Sequence, residues 1–165
     1  MEGYVALGSS LGDREAHLRA GLAGMTREGI RPTAVSSVWE TEPVDSGSPD
    51  AFLNMVVRVQ TDREPIEILE RLLEIERRED RVRGRRNAPR TLDLDLLLLG
   101  DVELDDPRLV LPHPRMWERA FVLAPLAELA PVLRNPNTGL TVRETLQKIG
   151  ERPWVRLAAP ATPPL

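Results

Sequence analysis

Residues 79–100 read EDRVRGRRNAPRTLDLDLLLLG. The first half carries Arg81, Arg83, Arg85, Arg86 and Arg90, broken by Gly84 and Pro89. The second half alternates as a strand does, Leu92-Asp93-Leu94-Asp95-Leu96, and runs on into Leu97, Leu98 and Leu99. Successive strand side chains point to opposite faces. Thr91, Asp93 and Asp95 are therefore expected on one face, and Leu92, Leu94, Leu96 and Leu98 on the other. Leu97 and Leu99 make the Asp face apolar again, so the carboxylates sit where a buried strand opens to solvent. Same-face neighbours on a strand are roughly 7 Å apart. That spacing lets two carboxylates reach a pair of divalent cations, which lie about 3.5–4 Å apart in two-metal sites. Oxygen-only ligands suit magnesium, which takes one or two carboxylates plus substrate phosphates. Guanidinium forks suit the phosphate oxygens themselves.

Each half has a plainer reading when taken alone. Asp-x-Asp in a strand is more often a solvated edge than a metal site. An arginine run is usually a solvated face or a nucleic-acid patch. The conjunction is harder to dismiss, because a solvated edge strand has little reason to continue into four leucines.

Around this stretch lies a chain of 165 residues, enough for one domain with a real core. Its net charge of −4 disfavours general nucleic-acid binding, so positive charge is local. It has no cysteine, hence no disulfide or thiol chemistry. Met1-Glu2-Gly3 leads straight into a short apolar run, without the basic region and long apolar stretch of a signal peptide. A cytoplasmic protein is expected. Residues 1–157 are read as one domain and 158–165 as a Pro-rich tail, disordered or extended.

Tyr4 to Leu7 reads as a buried strand that stops at Gly8. After the Gly/Ser loop, Asp13 is a plausible N-cap for a helix carrying Leu18, Leu22 and Met25, with Gly29 as its stop. The loop has neither Gly-Lys-Ser/Thr nor Gly-x-Gly-x-x-Gly, so it is no standard nucleotide loop. His17 is expected at the surface. Thr33 to Trp39 and Phe52 to Gln60 read as strands, the second placing Asn54 on one face with Phe52 and Val56. An amide among apolar neighbours needs hydrogen-bond partners, either within the fold or on a flat heterocycle. A helix starts at Pro65 and carries Leu69, Leu72 and Leu73, then Glu76 where the stripe calls for an apolar residue. Glu76 marks either a frayed helix end or a group that orients the arginine loop. A turn and a short strand or hairpin are expected over Asp101 to Asp106, His113 stands between Pro112 and Pro114, and helices follow to Ala130 and over 140–149. Thr141 and Glu144 make a capping box for the last helix. The element order gives an α+β, ferredoxin-like βαββαβ core, an antiparallel sheet with helices packed on it in three αβα layers.

From about Tyr4 to Leu129 the chain resembles the 6-hydroxymethyl-7,8-dihydropterin pyrophosphokinases of folate biosynthesis. The resemblance rests on Arg86-Asn87-Ala88-Pro89-Arg90-Thr91-Leu92-Asp93-Leu94-Asp95, with Ala6-Leu7-Gly8-Ser9-Ser10-Leu11-Gly12-Asp13, Phe52-Leu53-Asn54 and Leu111-Pro112-His113-Pro114. It departs at Asn87 and Pro114, where relatives often carry an aromatic residue. The resemblance implies that ATP gives its β- and γ-phosphates to the pterin hydroxymethyl group and AMP leaves. It implies that Asp93 and Asp95 bind two Mg2+ ions bridging the triphosphate. Arg81 and Arg83 match loop arginines that aid the chemical step, and Arg86, Arg90, His113 and Arg119 match ATP-binding groups. Asn54 matches the amide that reads the pterin edge, Phe52 and Phe121 the rings beside it, and Thr41, Glu42 and Val44 the pterin-side loop. The family usually acts as a monomer, with no nucleic-acid or membrane partner.

Two other classes compete. A nucleic-acid module using Arg81 to Arg90 leaves Asp93 and Asp95 unexplained, and the 4% aromatic content gives few stacking platforms. A two-metal phosphohydrolase shares the carboxylates but has no use for Asn54 and Phe121.

Overall fold

The N-terminal apolar run forms β1 (Glu2–Ser9), and the Gly/Ser loop delivers the chain into α1 (Arg14–Arg27). The computed structural model describes residues 1–42, 51–82, 91–150 and 155–161, with Arg81 and Val82 described by their backbone alone. Asp13 caps α1 as expected, its carboxylate accepting from Ala16 N at 3.1 Å. Gly29 ends it with φ +78°, a conformation that glycine adopts without steric cost.

The β-branched run expected as one strand is two, β2 (Arg31–Val35) and β3 (Val38–Thr41). Both pair antiparallel with β4 (Phe52–Gln60). Ser36 breaks the run. Its backbone N donates to Val56 O and its hydroxyl accepts from Val56 N, both at 2.9 Å, so a side chain replaces one rung of the ladder. The chain continues through α2 (Pro65–Val82), β5 (Asp93–Leu99), the hairpin β6 (Leu104–Asp106) and β7 (Leu109–Leu111), a 3-10 turn (Met116–Glu118), α3 (Ala120–Leu129) and α4 (Val142–Ile149). The capping box of Thr141 and Glu144 starts α4. The main sheet runs β5-β1-β4-β3 and ends in β8 (Val155–Ala159), with β2 also on β4. This is the ferredoxin-like order, with α1 and α2 against one face and α3 and α4 against the other. Among the described residues no helix is long and apolar enough to cross a membrane.

Three expectations need correction. Residues 155–159 form β8 (Val155–Ala159), an edge strand antiparallel to β3, so Ala158 and Ala159 of the expected tail belong to the sheet. Prolines on both sides hid this short strand in a Pro-rich context. The alternation of β5 holds for Leu92, Leu94 and Leu96, which pack with α1 and α2. It then breaks: Leu98 joins Leu97 in the core under α3, and Leu99 returns to the α1/α2 side. The cause is a register shift, since Val5 pairs with Leu96 but Tyr4 pairs with Leu98. The extra residue of such a bulge inverts the facing of all that follow.

His17 is the third correction. It is 0% exposed rather than at the surface. His17 and Gly24 lie on the side of α1 that meets α2, His17 against Glu79 and Gly24 against Ile75, while Gly21 between them faces Leu7 and Leu92, so the glycines let α1 sit close to its neighbours. At Gly24 a Cβ would stand 2.8 Å from Cγ2 of Ile75, a β-branched side chain with little freedom to move. Gly24→Ala is therefore expected to destabilise the fold. Overpacking of about 1–3 kcal/mol outweighs the roughly 0.5–1 kcal/mol that alanine gains in a helix. Thermal unfolding should show a lower Tm; an increase would mean the helices are not in contact there.

Candidate active site

β1, β4 and β5 run side by side, and their ends beneath α3 form the floor of one open cavity of about 410 Å3. β5 brings Asp93 and Asp95, β4 brings Phe52 and Asn54, β1 brings Gly8, and the end of β3 brings Thr41 and Glu42. Arg115, Arg119 and Phe121 come from the 3-10 turn and the start of α3. Eight of the expected site residues thus share one wall system: Thr41, Glu42, Phe52, Asn54, Asp93, Asp95, Arg119 and Phe121. Val44, Arg83, Arg86 and Arg90 lie outside the described residues, as does the side chain of Arg81, whose backbone closes the last turn of α2.

The two ends of the cavity differ in chemistry. At one end Asn54 is buried and its Nδ2 donates to Thr41 Oγ1 at 2.7 Å. That bond uses one of the amide's two N–H donors and leaves Oδ1 as an acceptor. Oδ1 lies 3.1 Å from the place a Cβ would occupy on Gly8, so glycine there makes room for the carbonyl. Phe121 supplies an aromatic face, and the Arg119 guanidinium stands 5.6 Å from its centroid, a cation–π distance.

The other end is ionic. Asp93 is partly exposed and Asp95 exposed, while Leu94 between them is buried. Glu76 is not a frayed helix end, since α2 runs on to Val82. Its buried carboxylate accepts from Leu94 N at 2.8 Å and so fastens β5 between the two aspartates. Among the described residues there is no group of three or more His, Cys, Asp or Glu poised to hold a metal ion. Asp93 and Asp95 are hard oxygen donors, and a dication held by two carboxylates takes its other ligands from water or phosphate oxygens. The donor set therefore fits Mg2+ better than zinc or another nitrogen- or sulfur-seeking metal.

Arg115 faces the same cavity and was passed over in the sequence, though a cation two residues after His113 was a legible signal. His113 adjoins it. His113 Nδ1 accepts from Arg115 N at 3.2 Å, which leaves Nε2–H as the donor of the neutral ring. Burial holds the His113 pKa below its ordinary value of 6.5; Asp95 opposes the shift and Arg119 and Arg115 add to it. The folded state thus favours the neutral imidazole. The stability this gives is present above the unfolded pKa and is lost as pH falls through the folded one. With only two histidines in the chain, carbon–proton NMR can follow each ring separately. His113 is expected to titrate below 6.5, moving back up in Arg119→Gln; a value at or above 6.5 in the parent chain would contradict this electrostatic picture.

Comparison with known proteins identifies the family. Residues 4–131 match the model of the family 7,8-dihydro-6-hydroxymethylpterin-pyrophosphokinase (HPPK). The 2-amino-4-hydroxy-6-hydroxymethyldihydropteridine pyrophosphokinase of Bacillus subtilis is 43% identical over 152 residues, 92% of this chain and 89% of that one. Its namesake from Pseudomonas aeruginosa is 44% identical over 135 residues, 81% of this chain and 83% of that one. Among solved structures, an HPPK-DHPS in complex with substrates superposes with a TM-score of 0.68 over 89% of this chain. This chain spans 43% of that longer one, and at 11% identity the likeness speaks for the fold alone. The chain belongs to the 7,8-dihydro-6-hydroxymethylpterin-pyrophosphokinase family.

Proposed function

We propose that this protein transfers the β,γ-diphosphoryl group of ATP to the hydroxymethyl oxygen of 6-hydroxymethyl-7,8-dihydropterin and releases AMP, a step of folate biosynthesis. The observation that carries this reading is a single cavity with an amide and aromatic end for a flat heterocycle and a carboxylate and guanidinium end for a polyphosphate. In the reaction the pterin oxygen bonds to the β-phosphorus, the bond from that phosphorus to the oxygen bridging to the α-phosphate breaks, and the hydroxyl proton leaves to solvent.

Asn54, fixed by Thr41, presents its Oδ1 to an N–H edge of the pterin, while Phe52 and Phe121 flank the ring and Glu42 and Val44 complete that side. Uncharged Asn54 leaves the heterocycle neutral and orients it, which is a positioning contribution. Arg119, Arg115 and the Nε2–H of His113 face the phosphates, joined by Arg86 and Arg90. Arg81 and Arg83 aid the chemical step by stabilising charge on the transferred group. Asp93 and Asp95 would hold Mg2+, two ions in our reading. Bound there, the metal would neutralise phosphate charge and make the hydroxyl more acidic. No general base is required of the protein. We take the chain through β8 as one pyrophosphokinase domain acting as a monomer, with the Pro-rich residues after Ala159 outside the chemistry. A phosphohydrolase would leave the Asn54–Thr41–Gly8 arrangement without a purpose.

With ATP, Mg2+ and the reduced pterin, the products should be AMP and the pterin diphosphate. ADP, or ATP turnover indifferent to the pterin, would reject the reaction. Asp95→Ala, at an exposed position, should keep the fold and lose about 10²–10³-fold or more in kcat. Thr41→Val should raise the pterin KM about tenfold, the loss of one buried hydrogen bond, with the KM for ATP little changed.

A further inference from the structure

The last two turns of α2 carry Glu76, Glu79 and Asp80, spaced so that all three share a face. Carboxylates near a helix C-terminus oppose the helix dipole, so they are not there for the helix's own stability. Each accepts a hydrogen bond from another element. Glu76 takes the amide of Leu94. Asp80 Oδ1 takes the hydroxyl of Thr91 at 3.0 Å and its backbone N at 3.4 Å. Glu79 Oε1 stands 2.9 Å from Nδ1 of His17, the fully buried histidine of α1. Among the described residues His17 Nε2 is buried with no hydrogen-bond partner, so within them this carboxylate anchors the imidazole.

Two of these contacts hold β5 and the chain that enters it, and the third ties the same turns of α2 to α1. Among the described strands β5 is at the edge of the sheet, and its ladder with β1 ends at the Gly8–Asp93 rung. An edge strand paired at its end by one neighbour frays easily. Thr91 lies two residues before Asp93 and is buried. Its two hydrogen bonds to Asp80 fix where the backbone enters the strand.

We infer that Asp80–Thr91, braced by His17–Glu79, forms a positioning clamp that holds Asp93 and Asp95 in the geometry needed for a divalent cation with nucleotide. The inference rests on the metal role proposed above for those aspartates. None of the four clamp residues lines the cavity, so they are positioning residues and not catalytic ones. A merely structural role would lower stability without a selective effect on metal. The clamp acts on the strand that carries both aspartates, whereas the Asn54–Thr41 contact lies on β4 and β3 and meets that strand only through Gly8 of β1.

The test compares Thr91→Val and His17→Leu with the rescue variants Thr91→Ser and His17→Gln, which restore a side-chain donor. Two readouts are used: Mn2+ affinity by EPR with a non-hydrolysable ATP analogue, and steady-state kinetics with varied Mg2+ and pterin. Thr91→Val and His17→Leu are expected to weaken Mn2+ binding and raise the Mg2+ requirement by about five- to tenfold, as for one lost buried hydrogen bond. The pterin KM should stay within about twofold, and the rescue variants should recover most of the loss. Unchanged Mn2+ affinity with only a lower Tm would overturn the inference, as would equal losses at both ends of the cavity. If His17→Leu does not fold, Thr91→Val alone decides between these outcomes. A parent chain that binds Mn2+ and nucleotide but makes no AMP would count against the proposed reaction, and the EPR comparison would still judge the clamp.

Discussion

Burial of Leu92, Leu94 and Leu96 against α1 and α2 fixes the direction in which Asp93 and Asp95 point. A one-residue slip of β5 would expose three leucines and drive two carboxylates into the core. The leucines alone set that cost at roughly 5–9 kcal/mol, at about 1.5–3 kcal/mol for each. Desolvating the carboxylates would add to it. Since whole domains are stable by only about 5–15 kcal/mol, the register is settled before any ligand arrives. The register shift past Leu96 lies beyond the aspartates, so it redirects Leu98 and Leu99 without disturbing the acidic pair.

The sheet separates two duties. Its α1/α2 side is a closed core, drawn tight by a glycine seam, Gly24 against Ile75 of α2 and Gly21 against Leu7 and Leu92, and tied at the rim by Glu28 to Arg71 and Arg78. Those guanidiniums hold Glu28 below the usual carboxylate range although burial pushes the other way. Its other side is closed by α3 and α4 over only part of the strands, and the strand ends left uncovered are where the cavity opens. Glu128 of α3 accepts from Ser37 and Trp39, which holds the helix to β3. Arg119 and Phe121 are thereby carried on a helix fixed to the same sheet as Asn54 and Asp95, and a rigid scaffold of this kind keeps a site's groups in register.

Much of this was legible in residue order because it rests on short-range rules. Asp13, Gly29, Pro65 and the Thr141–Glu144 box announce helix ends through local backbone chemistry. The alternation of β5 announces both a core face and an acidic face. The candidate site came from pattern and resemblance together: alternation alone allows a solvated edge, and Asn54 alone allows a satisfied core amide. What stayed hidden depends on partners distant in sequence. The bulge opposite Tyr4 and Val5 is a property of two strands at once. Ser36 splits a β-branched run only because Val56 stands beside it. His17 looks like a surface residue until α2 is laid over the glycine seam, and β8 exists because β3 offers it an edge. Arg115 needed only the fold of the turn after His113 to become part of the cavity.

The most direct measurement is a crystal structure of the protein with Mn2+, a non-hydrolysable ATP analogue and the reduced pterin. Anomalous scattering should place manganese in contact with the carboxylates of both Asp93 and Asp95, with the nucleotide's phosphates completing its shell and the pterin against Asn54 in the same cavity. Manganese held elsewhere, or a pterin and a nucleotide bound in separate cavities, would contradict the central claim that one strand's acidic face gathers both substrates for reaction.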